Sequence, residues 1–143
     1  MIKNKKNVMI FIILKVSFDT PMEGTMSETI VSLLETVRGY IVNGEYDFLV
    51  YREKNKKTLE DYGITAEFLV SNIFDELEPG DLFRGPIPDK DPNKQDGDVY
   101  IFMKDINCII PEISKKFYIK FKIVEENNKK LIILSLHEEG MFE

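Results

Sequence analysis

The chain has 143 residues, 43% hydrophobic and 31% charged, with a formal net charge of −6. This length suits one domain and buries roughly two thirds of the unfolded surface, so no metal or disulfide staple is needed. A single cysteine, Cys108, and a single histidine, His137, exclude an internal disulfide and a structural zinc site, and the acidic balance excludes a generic nucleic-acid-binding field.

Cys108 lies between apolar residues and reads as an inert buried thiol in a reducing, cytoplasmic compartment. Lys3, Lys5 and Lys6 precede the apolar run Val8–Leu14, which Lys15 interrupts. That run lacks a cleavage pattern and is too short to span a bilayer. Met22-Glu23-Gly24-Thr25 corresponds to a purine-rich coding stretch just before the codon of Met26. Residues 1–25 therefore read as an N-terminal extension, disordered or not native, ahead of a single domain over 26–143. If the extension is genuine, its apolar run is an edge strand.

Thr25-Met26-Ser27-Glu28 has capping-box spacing, and Ile30, Leu33, Leu34, Val37 and Ile41 follow at helical intervals. This predicts a helix over 28–42, stopped by Gly44. Glu45–Tyr51 reads as a strand. The basic run Arg52–Lys57 reads as a loop, either solvated or contacting phosphates. Thr58–Asp61 suits one short turn before Gly63. Thr65 caps a second helix with Leu69, Ile73, Phe74 and Leu77 on one face, ended by Glu78-Pro79-Gly80. A long polar loop follows, through Asp98. Its Asp89-Lys90-Asp91-Pro92-Asn93 opens like a calcium loop, but Lys94 and Tyr100 stand where glycine and the bidentate acid belong. Neither a metal nor any other cofactor is expected.

Asp98–Met103 is the next strand. The closing stretch Phe117–His137 is a hairpin: Phe117, Ile119, Phe121 and Ile123 alternate with Tyr118, Lys120 and Lys122. A turn at Asn127-Asn128 pairs Ile123 with Ile132, Phe121 with Leu134 and Ile119 with Leu136 on the core face. It pairs Lys120 with Ser135 and Tyr118 with His137 on the other. The order of elements gives an α+β fold with helices packed on one face of a small antiparallel sheet.

On Val42-Asn43-Gly44, Leu82-Phe83-Arg84, Asp98-Val99-Tyr100, Phe117-Tyr118-Ile119-Lys120 and Leu134-Ser135-Leu136-His137, the chain resembles the motility quorum-sensing regulator (MqsR) toxins. The match in order and spacing covers Ser27 to Glu139. The resemblance implies a RelE-like fold, a cytoplasmic type II toxin–antitoxin pair, mRNA cleavage without a metal, and neutralisation by a cognate antitoxin protein. Arg84 and Tyr118 fall on matching positions of the family's active site. His137 stands where the family pattern has a lysine, and Phe102-Met103-Lys104 supplies no counterpart to its glutamine.

Cleavage of RNA requires a base for the 2′-hydroxyl proton, a cation for the phosphorane and an acid for the leaving 5′-oxygen. Histidine suits acid–base work near neutrality, and Arg or Lys suits the phosphate charge. The expected catalytic set is therefore His137 as acid or base, Lys120 and Arg84 as phosphate clamps, and Tyr118 as orienter or second proton donor. Lys122, Arg52, Lys54, Lys56 and Lys57 would guide the RNA backbone. The competing reading is a non-catalytic acidic binding protein with the same fold, such as a phage-borne, anti-CRISPR-like inhibitor of a nucleic-acid enzyme. Removing residues 1–25 takes away four lysines and only two acids, which favours that reading. A regulatory or antitoxin role ranks below both, for want of a helix-turn-helix.

Overall fold

The computed structural model describes residues 22–91, 97–107, 115–124 and 130–140, with side chains from Glu28 onward. The apolar run at 8–14, Cys108, the Asn127-Asn128 turn and Pro92–Lys94 lie outside the described residues. Helix α1 runs Met22–Val42, so it begins before the expected cap: Thr25 and Ser27 are interior residues of a longer helix. The chain divides inside α1 into two compact units, Met1–Ser32 and Leu33–Glu143. The sheet, the other helices and the site belong to the second unit.

The end of α1 follows from Gly44, which takes the left-handed conformation at φ 74°. Its N–H reaches the Ile41 carbonyl at 3.1 Å and the Glu45 N–H reaches that of Tyr40 at 2.8 Å, the paired bonds of a Schellman stop. Strand β1, Tyr46–Phe48, follows and is shorter than expected. The basic run is not a loop: helix α2 spans Glu53–Tyr62 and takes in Lys54, Lys56 and Lys57. Six polar residues in a row hid it, because burial on this helix falls on Asn55 and Thr58 instead of on an apolar stripe.

Thr65 caps helix α3, Ala66–Glu76, accepting from the Phe68 N–H at 3.1 Å, and Leu69, Val70, Ile73 and Phe74 are buried as the spacing requires. The open carbonyls at the end of α3 are met by Arg38 of α1, whose guanidinium donates to Phe74 O at 3.0 Å and Leu77 O at 2.5 Å.

Three further strands were expected in whole or part, and one was not. Strand β2, Leu82–Ile87, occupies what reads as the start of the polar loop. Then come β3, Val99–Ile106, β4, Lys115–Ile123, and β5, Leu131–Glu138. The sheet order is β1-β5-β4-β3-β2, with β1 parallel to β5 and every other pair antiparallel. The fold is thus α+β with a five-stranded, mostly antiparallel sheet. Phe117, Ile119 and Phe121 of β4 are buried on the core face, where Phe121 packs 5.5 Å from Phe74 and 5.7 Å from Phe102. Helices α2 and α3 both reach that face, α2 through Tyr62, whose ring lies 6.3 Å from Phe117. α3 covers it through Phe74, while α2 lies against the part of β5 that β1 leaves unpaired. Among the described residues, no helix is long and apolar enough to cross a membrane.

The hairpin register is half as expected. Tyr118 faces His137, Ile119 faces Leu136 and Lys120 faces Ser135. Nearer the tip, Phe121 faces Ile133 and Ile123 faces Leu131, not Leu134 and the expected Ile132. The difference is a bulge that leaves Leu134 as the extra residue.

Candidate functional site

The bulge decides where the histidine points. Continued unbroken, the tip-side register would set His137 opposite Phe117, on the core face. One extra residue reverses every side chain beyond it, so His137 lies opposite Tyr118 on the open face. The two rings stack with centroids 5.6 Å apart and planes 17° from parallel.

A side chain from α2 holds the bulge. Asn55 is 1% exposed, and its carboxamide continues the ladder where β1 stops. Its Nδ2 donates to Leu134 O at 3.1 Å and Leu49 O at 2.9 Å, while its Oδ1 accepts from the Leu136 N–H at 2.9 Å. Arg52 adds a bond from Nη1 to Leu134 O at 3.3 Å. The basic run is therefore built into the site. It carries Asn55 to β5 and leaves Arg52 and Lys54 beside His137.

Those residues enclose a cleft of about 560 Å³. His137, Tyr118 and Ser135 line it together with the cations Arg52 and Lys54, the acids Glu53 and Glu139, and the apolar Phe83 and Met103. His137 is 7% exposed, and its Nδ1–H donates to the Glu138 carbonyl at 2.9 Å, which leaves Nε2 as the basic nitrogen. Burial lowers its pKa; the Glu138 carbonyl opposes this and Lys54 adds to it. The ring is thus neutral at pH 7, with a lone pair to accept a proton. Burial raises the pKa of Tyr118 against the pull of Arg84, so its hydroxyl keeps its proton.

The expected site residues separate into three groups. His137, Tyr118, Arg52 and Lys54 share the cleft. Arg84 and Lys120 do not line it; they meet Tyr118 in an adjoining hollow of about 300 Å³. The remaining three point elsewhere or are engaged. Lys122 is 5% exposed and ion-paired to Asp89 at 3.0 Å, so it is a structural cation and not a surface guide for RNA. Lys57 pairs with Asp61 along α2 at 3.3 Å, and Lys56 is exposed on the same helix.

Sequence reading missed Asn55, Phe83 and Met103. Phe83 is 60% exposed beside the cleft, which its place next to Arg84 could have suggested. Asn55 carried no such signal, since its partners are backbone groups 79 and 81 residues away. Among the described residues, no three His, Cys, Asp or Glu side chains group as metal ligands. No family model, curated protein or solved structure matches this chain.

Proposed function

We propose that the protein is an endoribonuclease that cleaves single-stranded RNA with its own side chains, acting as an MqsR-like toxin restrained by a cognate antitoxin. The observation that carries this reading is a buried histidine whose Nδ1 is committed to a backbone carbonyl, stacked on a tyrosine in a cleft that Arg52 and Lys54 share with Glu53 and Glu139. His137 Nε2 takes the 2′-hydroxyl proton, and the 2′-oxygen attacks the adjacent phosphorus. The bond to the 5′-oxygen breaks as the new one forms, leaving a 2′,3′-cyclic phosphate. Tyr118 supplies the proton to the departing 5′-oxygen. Arg52 and Lys54 offset the charge that develops on the phosphorane, a contribution that grows in a cleft screened from water. Phe83 offers an exposed ring on which an unstacked base can lie.

The test is induction of the full chain in a heterologous bacterium beside His137→Ala, with growth and RNA integrity followed over time. Growth arrest with RNA cleavage, both abolished by His137→Ala, is the expected result. General acid–base catalysis of this kind is worth roughly 10²–10⁴-fold. Normal growth with intact RNA would instead support the acidic binding protein, a reading the net charge of −6 favours. That protein would place its acidic surface in the basic channel of a nucleic-acid enzyme.

A further inference from the structure

Lys120 stands in an unusual electrostatic setting. It lines two hollows of the open face. One holds Arg84, Lys90 and Tyr118 with the Asp89 carboxylate at its border; the other holds Arg52, Asp47, Asp91 and the Asp89–Lys122 pair. Its nearest acid is committed elsewhere: Asp89 accepts from the Asp91 N–H at 3.1 Å through Oδ1 and from Lys122 at 3.0 Å through Oδ2. Among the described residues Lys120 makes no ion pair. Burial lowers its pKa, Lys90 and Arg52 lower it further, and Asp89 opposes them. With the one acid at its border already paired to Lys122, Lys120 adds to Arg84 and Lys90 a cationic lining that suits an anion.

The geometry points to a second phosphate subsite, formed by Lys120, Lys90 and Arg84, for the phosphodiester next to the one cleaved at His137. The inference rests on the ribonuclease reading for its substrate. Tyr118 borders both the cleft and the hollow. Lys120 lies two residues along the same face of β4, a step of about 7 Å. The track ends there, because the next cation on this face, Lys122, is already neutralised by Asp89. The ligand is therefore a single strand carrying at least two consecutive phosphates.

The probe is a short 2′-O-methyl RNA, which binds but lacks the attacking hydroxyl. Its affinity for the full chain is measured across salt concentrations, beside Lys120→Gln, Lys90→Gln and a control, Lys57→Gln. Losing one phosphate contact on a single strand should lower the slope of log K against log salt by about 0.7. This is expected for Lys120→Gln and Lys90→Gln and not for Lys57→Gln. A second comparison uses a 2′-O-methyl dinucleoside monophosphate, which has one phosphate, and a trinucleotide, which has two. Wild type should bind the trinucleotide roughly tenfold more tightly, and Lys120→Gln should erase the difference. Unchanged slopes in both variants, or no binding of the oligomer at low salt, would overturn the subsite. Lys90 is exposed, so its variant still gives an answer if Lys120→Gln fails to fold. Changed slopes with no RNA cleavage in cells would keep the subsite and sink the ribonuclease. Cleavage with unchanged slopes would do the reverse.

Discussion

At the residue scale, the site depends on two side chains whose environments differ from those of an ordinary surface. His137 is held neutral by burial, so the acid limb of a pH–rate profile should lie below about pH 6.5, the unperturbed histidine value. Lys54→Gln removes a like charge and should move that limb upward toward the unperturbed value. A limb unchanged by Lys54→Gln would detach Lys54 from the histidine. Asn55 is the other case. Asn55→Ala leaves the Leu136 N–H without its partner in a buried place, at about 1–3 kcal/mol, and leaves the Leu134 carbonyl to Arg52 alone. Asn55→Asp keeps the acceptor for Leu136 but can no longer donate to Leu49 and Leu134, so it should be no milder. Urea unfolding of the three proteins gives the comparison, and a loss under about 1 kcal/mol in both variants would show that the bulge holds itself.

At the element scale, glycine positions separate what a turn requires from what a helix tolerates. Gly97 precedes β3 with φ 85°, and a Cβ there would meet the Ile123 carbonyl oxygen at 2.2 Å. Gly97→Ala should therefore cost about 2–3 kcal/mol or more, since backbone must move. Gly39, inside α1, has nothing within 4 Å of the corresponding Cβ. Gly39→Ala should stabilise by about 0.5–1 kcal/mol through helix propensity. Thermal melting of both variants is the measurement, and a neutral Gly97→Ala would contradict the close approach of the β3 entry to the end of β4. The same strands show why the bulge matters to function. It is a local irregularity, yet it sets the face of every residue after Leu134.

At the scale of the whole molecule, acid should weaken the fold in two steps. His137 has a folded pKa below its unfolded one. Above about pH 6.5 it is neutral in both states and indifferent. Below that value the unfolded chain takes up a proton that the folded chain refuses, and stability falls until the folded pKa is passed. Asp89 has the same direction of shift, through the Asp91 N–H and the Lys122 ammonium. Its contribution is full above its unfolded value of 3.8 and is lost as pH falls through the lower folded value. A melting series from pH 8 downward should show both steps. His137→Gln should flatten the first, and Asp89→Asn the second. Asp89→Asn should also destabilise near neutrality, by up to about 3 kcal/mol, because buried Lys122 loses the Asp89 carboxylate. The charge distribution follows the same division. The chain is acidic overall, while the hollows of one face of the sheet bring together Arg52, Lys54, Arg84, Lys90 and Lys120 against Glu53, Asp89 and Glu139.

The amino-acid sequence by itself determined the elements whose burial repeats with a helical or strand period. α3 with its Thr65 cap, the alternation of β4 and the stop at Gly44 were all legible, because each depends on residues close in the chain or on one repeating face; the expected pairing of Tyr118 with His137 is met, but by way of a bulge that the repeating face does not foretell. The α+β class followed from their order. Only the tertiary structure decided α2, β2, the bulge and the commitments of individual cations. α2 buries polar Asn55 and Thr58, so hydrophobic spacing is silent there. The bulge is held by bonds from Asn55 and Arg52, which lie far from β5 in the chain. Lys120 and Lys122 are alike in sequence, two residues apart on one face, and differ because Asp89, which borders both, closes its ion pair on Lys122. Periodicity shows which residues share a face; which partner reaches each of them is a long-range contact that only the folded chain makes.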